Sequence, residues 1–349
     1  MSNKAAWMKA PKAYPLEIGP APFPEPGPGE VVVKSRVIAL NPVEIMVQTI
    51  DLFNKTFPCI IGTDVAGIVE ADGEGVTHLK KGQRVLGYCM GLGVDDSAFG
   101  AYQLYPKVHA SLMAPFPDSV TFEQASVLPL AITTVAVNLY HPDHLGLQLP
   151  SLSPTPSGKT LFVWGGSSSV GSTAIQLAVA SGFEVVATAS LQNHRLVESL
   201  GAAVVLDHKS PDIVDEAIAT LSQREVVAVF DAISTPATMK PLDAILDKVG
   251  PLKVGVVIPP DMPLSKNFQP TVSLAFEILN EKGKDVLQAV WGEFVPKAIA
   301  SGRLQFKPDP VVVGKGLEGL QDGLDKLKGG VSAHKYVVQI CDDRVFPKE

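Results

Sequence analysis

Cysteine is scarce here: three thiols, Cys59, Cys89 and Cys341, in a chain of 349 residues. Their odd number and wide spacing exclude a disulfide framework and a Cys-x-x-Cys metal site, and leave reduced thiols in a cytoplasmic protein as the expectation. Charge is sparse as well. Only 19% of residues are Asp, Glu, Lys or Arg, and the net charge of -7 has the wrong sign for a general nucleic-acid or anionic-membrane partner. Also lacking are an apolar run near the ~20 residues of a membrane-crossing helix and an N-terminal signal-peptide core. What the chain has instead is 46% hydrophobic residues, too apolar for disorder and, at this length, too much for one simple core. Two domains are expected.

The organising stretch is 159–208. Residues 159–164 form a short apolar strand that runs into Gly165-Gly-Ser-Ser-Ser-Val-Gly171, and a small-residue helix then leads to a second buried strand at 184–190. This βαβ pattern leaves unpaired backbone N–H groups at the helix start, where a pyrophosphate can sit. Gly166 and Gly171 fit the first and third positions of G-x-G-x-x-G, with Ser168 in the second. Alone such a motif is weak, but between strand and helix it has the context it needs.

An NAD site usually places Asp or Glu at the end of the second strand, on the ribose 2′-hydroxyl. This chain has Ser190 there, followed by Leu191, Gln192, Asn193, His194 and Arg195. A carboxylate repels a 2′-phosphate, whereas hydroxyl, amide and guanidinium groups bind it. The expected cofactor is therefore NADP. The competing reading makes Asn193 and Arg195 the wet face of the next helix.

Residues 1 to about 125 read as β-rich, with strands predicted at 4–10, 30–40, 65–69, 84–89 and 101–104 and a proline-rich surface turn at 20–29. Many short strands broken by Gly and Pro suggest a small barrel-like fold. Apolar spacing predicts one helix over 123–140, followed by a polar loop at 141–157. His141 and His144 lie in that loop, and with no third ligand at suitable spacing an exposed loop is expected rather than a metal site. From residue 160 the pattern alternates: strands at 160–164, 184–189, 203–206, 226–231, 252–258 and 271–277, with helices including 211–221, 236–247 and 285–300. Near-continuously apolar strands alternating with helices mean a parallel sheet covered on both faces. The tail offers a strand at 310–313, a helix at 316–328 and a strand at 335–340, and could rejoin the N-terminal domain.

The segments Asn41-Pro-Val-Glu44, Gly62-Thr-Asp-Val-Ala-Gly67, Gly82-Gln-Arg-Val-Leu-Gly-Tyr88, Gly100-Ala-Tyr-Gln103, Leu128-Pro-Leu-Ala-Ile-Thr-Thr134 and Trp164-Gly-Gly-Ser-Ser-Ser-Val-Gly171 occur in this order. Together they resemble the medium-chain dehydrogenase/reductase superfamily, in its zinc-independent fungal branch of trans-acting enoyl reductases, ToxD-like and CipB-like proteins. The resemblance covers essentially the whole chain. It implies an α/β fold: a doubly wound parallel-sheet (Rossmann) domain at 127–304 plus a GroES-like β-rich domain formed by 1–126 and 305–349, with the cofactor in the cleft between lobes. Zinc-dependent relatives carry Gly-His-Glu where this chain has Gly62-Thr63-Asp64, and Thr63 cannot replace a histidine ligand. No metal is expected, and Asp64 is read as a buried group tying down a turn.

By the same resemblance, Asn41, Pro42, Val43, Glu44, Ile45 and Thr134 line the nicotinamide side. Ser167, Ser168, Ser169 and Val170 cradle the pyrophosphate, and Ser190, Leu191, Gln192 and Asn193 hold the 2′-phosphate with Arg195 in support. His208 stands where relatives often have a tyrosine on the same phosphate or the adenosine ribose, or else is a surface residue after the third strand. Gly255 and Val256 end the fifth strand at the ligand-binding edge, and Val331 and Ser332 close the site from the tail. Where reductase relatives carry a lysine this chain has Met46, which has neither charge nor donors. Either Met46 only packs, or the reaction differs from ordinary enoyl reduction, or redox activity has been lost.

The expected activity is NADPH-dependent reduction of an activated C=C bond in a secondary-metabolite intermediate, a small molecule or an acyl chain on a carrier protein. Thr134 is the candidate hydroxyl near the substrate carbonyl, against a back-bonding role within its helix. Tyr88, Tyr102 and Tyr140 are chemically possible acids, at positions that more often mean packing. Quinone or carbonyl reduction, or a non-redox pocket protein of the same fold, are the alternatives, because fold alone does not separate them.

Overall fold

A computed structural model describes residues 2–53 and 55–340; Cys341 and the end of the predicted tail lie outside the described residues. The chain divides into two compact units, Met1–Leu130 with Asp309–Glu349 and Ala131–Pro308.

The first unit begins with β1 (Asn3–Met8), β2 (Glu17–Ala21), β3 (Glu30–Ala39), α1 (Pro42–Ile50), β4 (Cys59–Ile60), β5 (Asp64–Asp72), β6 (Arg84–Tyr88), β7 (Lys107–His109) and β8 (Met113–Pro115). Then come α2 (Phe122–Ser126) and α3 (Pro129–Tyr140), which runs from the first unit into the second. The second unit holds β9 (Lys159–Trp164), α4 (Ser169–Ala180), β10 (Glu184–Ala189), α5 (His194–Ser199), β11 (Val204–Asp207), α6 (Ile213–Leu221), β12 (Glu225–Asp231), α7 (Pro236–Val249), β13 (Leu252–Val256), β14 (Phe268–Val272), α8 (Lys284–Leu287) and α9 (Val295–Ala300). The chain returns to the first unit with β15 (Asp309–Lys315), α10 (Gly319–Lys328) and β16 (His334–Gln339).

Strands of the first unit form a three-stranded sheet, β2-β1-β4, and a larger one ordered β15-β16-β3-β5-β6-β8, with β7 also paired to β3. Pro20, which cannot donate to a ladder, sits in edge strand β2. The tail is part of this unit because β16 pairs antiparallel with β3, Val337 opposite Ala39. A core of Val33, Ile38, Val65, Val85 and Val338 fills the interior, each such side chain stabilising by about 1.5–3 kcal/mol when removed from water.

Strands of the second unit are all parallel, in the order β11-β10-β9-β12-β13-β14. That order reverses between β9 and β12, the switch point where a doubly wound sheet opens a crevice at its carboxyl edge. Phe162, Val229, Leu242 and Ile245 lie in the core between sheet and helices.

Four sequence expectations need correcting. The helix predicted over 123–140 breaks into α2 and α3, because Pro129 has no N–H to continue the ladder and takes the first position of a new helix. Taken as one run, Phe122–Tyr140 is long and apolar enough to cross a bilayer, contrary to the reading that no run comes near; it is mostly buried, as a core helix would be. The strand expected at 271–277 is instead Phe268–Val272, an edge strand that tolerates Pro270, while Ala275–Leu279 is a 3-10 turn whose Leu274 N–H is taken by Glu277. Residues 101–104 make only a bridge, Ala5 to Gln103, because the backbone N–H of Gln103 turns back to the Ala101 carbonyl at 2.7 Å and those of Ala101 and Tyr102 go to Gly62 and Ile61.

Candidate functional site

The second unit gathers one group of predicted residues around the turn between β9 and α4. Gly165 has φ of 82°, and its N–H and that of Gly166 are pinned to Thr188 of β10, at 3.0 Å on the hydroxyl and 2.8 Å on the carbonyl. A Cβ on Gly171 would lie 2.1 Å from the Gly165 carbonyl oxygen, so helix and loop approach too closely for any side chain. Position 168 has no such need. Ser168 is extended (φ -72°) and its hydroxyl caps α4 by accepting the Gly171 N–H at 3.0 Å, which explains the departure from the glycine motif. Beyond it, the N–H groups of Ser167 and Val170 make no hydrogen bond among the described residues. The first turn of α4 carries no acidic residue, so its N-terminal dipole is open to an anion.

Beside this loop, Ser190 Oγ lies 3.0 Å from His208 Nε2. Burial is the main cause holding the His208 imidazole below its usual range, with Lys209 adding to it and Asp207 opposing. Leu191, Gln192 and Arg195 are exposed, whereas Asn193 is buried with its amide 3.3 Å from Ser167 Oγ. Asn193 thus braces the loop from behind, and the outward groups are Ser190, Gln192, Arg195 and His208. Gly255 and Val256 end β13, in register with Phe230 and Asp231. A Cβ on Gly255 would come 3.0 Å from Asn138 Oδ1, whose amide nitrogen donates to the Thr134 carbonyl at 3.1 Å. The Thr134 hydroxyl is half-buried and makes no hydrogen bond among the described residues, so it does not back-bond within its helix. One structural feature went unread in the sequence: Asp231, at the switch point, accepts the N–H groups of Ile233 and Ser234 at 3.0 Å each and the Thr238 hydroxyl at 2.5 Å.

The first unit gathers a second group at the start of α1. Asn41 is the extended N-cap (φ -129°), Pro42 holds the first helical turn, and Glu44 reaches back to accept the Asn41 N–H at 2.5 Å. The Asn41 side chain turns elsewhere: its amide nitrogen lies 2.9 Å from both Thr63 Oγ1 and Asp64 Oδ2, and its oxygen accepts from Lys335 at 2.5 Å. Thr63 donates to Glu44 at 2.6 Å, and Lys335 pairs with Asp64 at 3.2 Å. All five side chains are buried. Asp64 also accepts the Leu130 N–H at 2.6 Å, tying down the turn that starts α3, the role read for it from sequence. Burial, above all, pushes Glu44 up to about 7, with Asp64 adding and Thr63, the Asn41 N–H and Lys335 opposing. Tyr102 is buried against Gly62 with its hydroxyl unpartnered among the described residues. Val43, Ile45 and Met46 are half-buried on α1, and Val331 and Ser332 are exposed before β16.

Lys335 was missed from sequence, although a lysine sharing a strand face with Val337 is a usable signal. The expected exposed loop at His141 and His144 is also wrong. Both are buried, His144 bonded to Glu277 at 2.7 Å and His141 to Asn280 at 3.2 Å, so they join α3 to the segment after β14. Tyr140 is committed to structure through Leu177 O and Ser181.

Residues 27–118 match the Alcohol dehydrogenase GroES-like domain, and 169–298 match Zinc-binding dehydrogenase. A trans-enoyl reductase of Aspergillus japonicus is 42% identical over 340 residues, covering 97% of each chain. The chain belongs to the medium-chain dehydrogenase/reductase superfamily. Among solved structures, an alcohol dehydrogenase superfamily protein of Novosphingobium aromaticivorans matches this chain with a TM-score of 0.78 at 24% identity, over 97% of this chain and 100% of that one. A mycobacterial protein solved with NADPH matches with a TM-score of 0.67 at 23% identity, over 97% and 99%. These two show the fold. Zinc appears in one family description, and the residues here do not fit it. Among the described residues no three His, Cys, Asp or Glu side chains come together as a metal set. Cys59 and Cys89 are buried, and burial pushes their thiols up, Cys59 to about 11, the opposite of what a thiolate ligand needs.

Proposed function

We propose that this medium-chain reductase uses NADPH, without zinc, to reduce an activated C=C bond of a small-molecule intermediate. The observation that carries the reading is the end of β10, where Ser190 and His208 stand 3.0 Å apart beside exposed Gln192 and Arg195 in place of a carboxylate. The glycine turn fits a dinucleotide: Ser167 and Val170 N–H groups and the start of α4 would hold a pyrophosphate, and Ser190, Gln192, Arg195 and His208 a 2′-phosphate. The dinucleotide, when bound, supplies the hydride. The chain's own part is to hold it, keep water away and offer donors to the substrate oxygen where negative charge develops. The unengaged Thr134 hydroxyl suits that last task. The nicotinamide-end roles of Asn41 to Ile45, and the closing role of Val331 and Ser332, rest on the family likeness.

The trans-enoyl reductase among the relatives supports an enoyl-type substrate, delivered free or as an acyl chain on a carrier protein. NADPH consumption across a panel of enones, α,β-unsaturated thioesters, quinones and aldehydes tests this: turnover confined to the alkenes is expected, and turnover of quinones or aldehydes alone would replace the reading. Met46 favours a second reading, a pocket protein without redox activity, because a half-buried thioether offers nothing to a cofactor ribose or an enolate. NADP binding with no turnover of any panel member would establish that one.

A further inference from the structure

Lys335 lies on β16, whose pairing with β3 places Val337 opposite Ala39 and so brings the lysine to Asn41. A buried ammonium is costly unless its donors are met by an anion and by hydrogen bonds. Here they are met by Asn41 Oδ1 at 2.5 Å and Asp64 Oδ2 at 3.2 Å. Asn41 passes the contact on through its amide to Thr63 and Asp64, and Thr63 passes it to Glu44. We propose that Lys335 is the resident cation of this cluster, a positioning residue whose ammonium gathers Asn41 and Asp64 as a metal ion would gather its oxygen ligands. A chain matching a family described as zinc-binding thus carries a fixed positive charge of its own, and the start of α1 is held by it. Only the nicotinamide-end role of Asn41 rests on the proposed function; the placement of the cation does not.

Charge balance makes this testable. The groups facing Glu44 are Asp64 of β5, Lys335 of β16, Tyr88 of β6, and Tyr102, with Cys89 next to Tyr88. Burial pushes both tyrosines and the thiol upward, so they stay neutral at and above pH 7. The Lys335 side chain and the carboxyls of Asp64 and Glu44 then remain as the groups that interact across the cluster. Lys335 opposes the Glu44 proton. Without the ammonium, Glu44 holds its proton to higher pH, and its ionisation is more costly in the folded chain than in the unfolded one.

Melting temperatures of wild type, Lys335→Met, Lys335→Arg, Glu44→Gln and the double variant Lys335→Met/Glu44→Gln, measured from about pH 6 to about pH 9, decide it. Lys335→Met should melt lower throughout, with the gap to wild type widening above about pH 7. In the Glu44→Gln background the Lys335→Met loss should be the same at every pH, and Lys335→Arg should stay close to wild type. A loss independent of pH, or one as large for Lys335→Arg as for Lys335→Met, means the side chain serves by shape and overturns the proposal. So does a rise in wild-type melting temperature with stoichiometric zinc. Should Lys335→Met not fold, a Lys335→Arg variant that melts close to wild type supports the charge, and one that also fails to fold overturns the proposal. Melting needs no turnover, so an enzymatically silent wild type would sink the reductase reading and leave this one standing.

Discussion

The two polar centres of this molecule are built in opposite ways. Around the β9–α4 turn the working groups are backbone N–H donors, held outward by two obligatory glycines and a serine cap. At the start of α1 the working groups are side chains, five of them buried and interlocked, two or three of them charged. The first design leaves donors without a hydrogen-bond partner among the described residues, at little cost. The second puts ionisable groups where water cannot reach them, which is expensive and therefore sensitive to pH and to the loss of any member. One centre leaves its donors open at a helix start; the other holds its ionisable groups buried and paired.

The sharpest way to break the first centre is Gly171→Val. Its side chain would start 2.1 Å from the Gly165 carbonyl oxygen, in backbone that cannot yield without opening the loop. Destabilisation of roughly 3 kcal/mol is expected, at the upper end for overpacking. NADPH affinity should fall at least about a hundredfold, read by calorimetric titration. If the variant binds normally, the loop is not the pyrophosphate site.

The matching break in the second centre is Glu44→Gln. The carboxyl is raised from 4.5 to about 7 in the folded chain, so its stabilising protonation is complete below about pH 4.5 and is lost as pH rises through about 7. That loss amounts to roughly 3 kcal/mol. Wild type should therefore melt progressively lower across this window and then level off, while Glu44→Gln should show the flatter profile. Parallel profiles would mean that Glu44 ionises as readily inside the protein as outside it.

A third comparison sets Ser190 of the second unit against Met46 of the first. Ser190→Asp places a carboxylate where a 2′-phosphate is expected and should weaken NADPH by about 1.5–3 kcal/mol, or tenfold and more, while leaving NADH unharmed. Equal weakening of both dinucleotides would mean simple damage to β10. The smallest effect belongs to Met46→Lys. If a missing ammonium limits the reductase, turnover of an α,β-unsaturated thioester should rise, by less than about tenfold or 1.4 kcal/mol, because burial opposes the new charge. Kinetics must be paired with melting curves in the presence and absence of NADPH. A folded variant with no gain in rate or affinity would leave Met46 as packing and strengthen the non-redox reading.

How much was legible in the sequence follows the same division. The glycine turn is contiguous, so seven adjacent residues declared it, and the parallel sheet around it followed from apolar strands alternating with helices. The buried cluster joins Asn41 and Glu44 to Thr63, Asp64 and Lys335. Only strand register, which no local pattern contains, brings residue 335 to residue 41. The same blindness produced the error at His141 and His144, where polar spacing suggested a wet loop and contacts with Glu277 and Asn280 buried both rings. The break at Pro129 was legible in principle and was outweighed by apolar periodicity running through it.

The central claim, that the end of β10 selects the phosphorylated dinucleotide, has a direct test in calorimetric titration of the wild-type protein with NADPH and with NADH. The account predicts at least tenfold tighter binding of NADPH, as expected for a charge-assisted phosphate contact. Equal dissociation constants, or tighter binding of NADH, would contradict it.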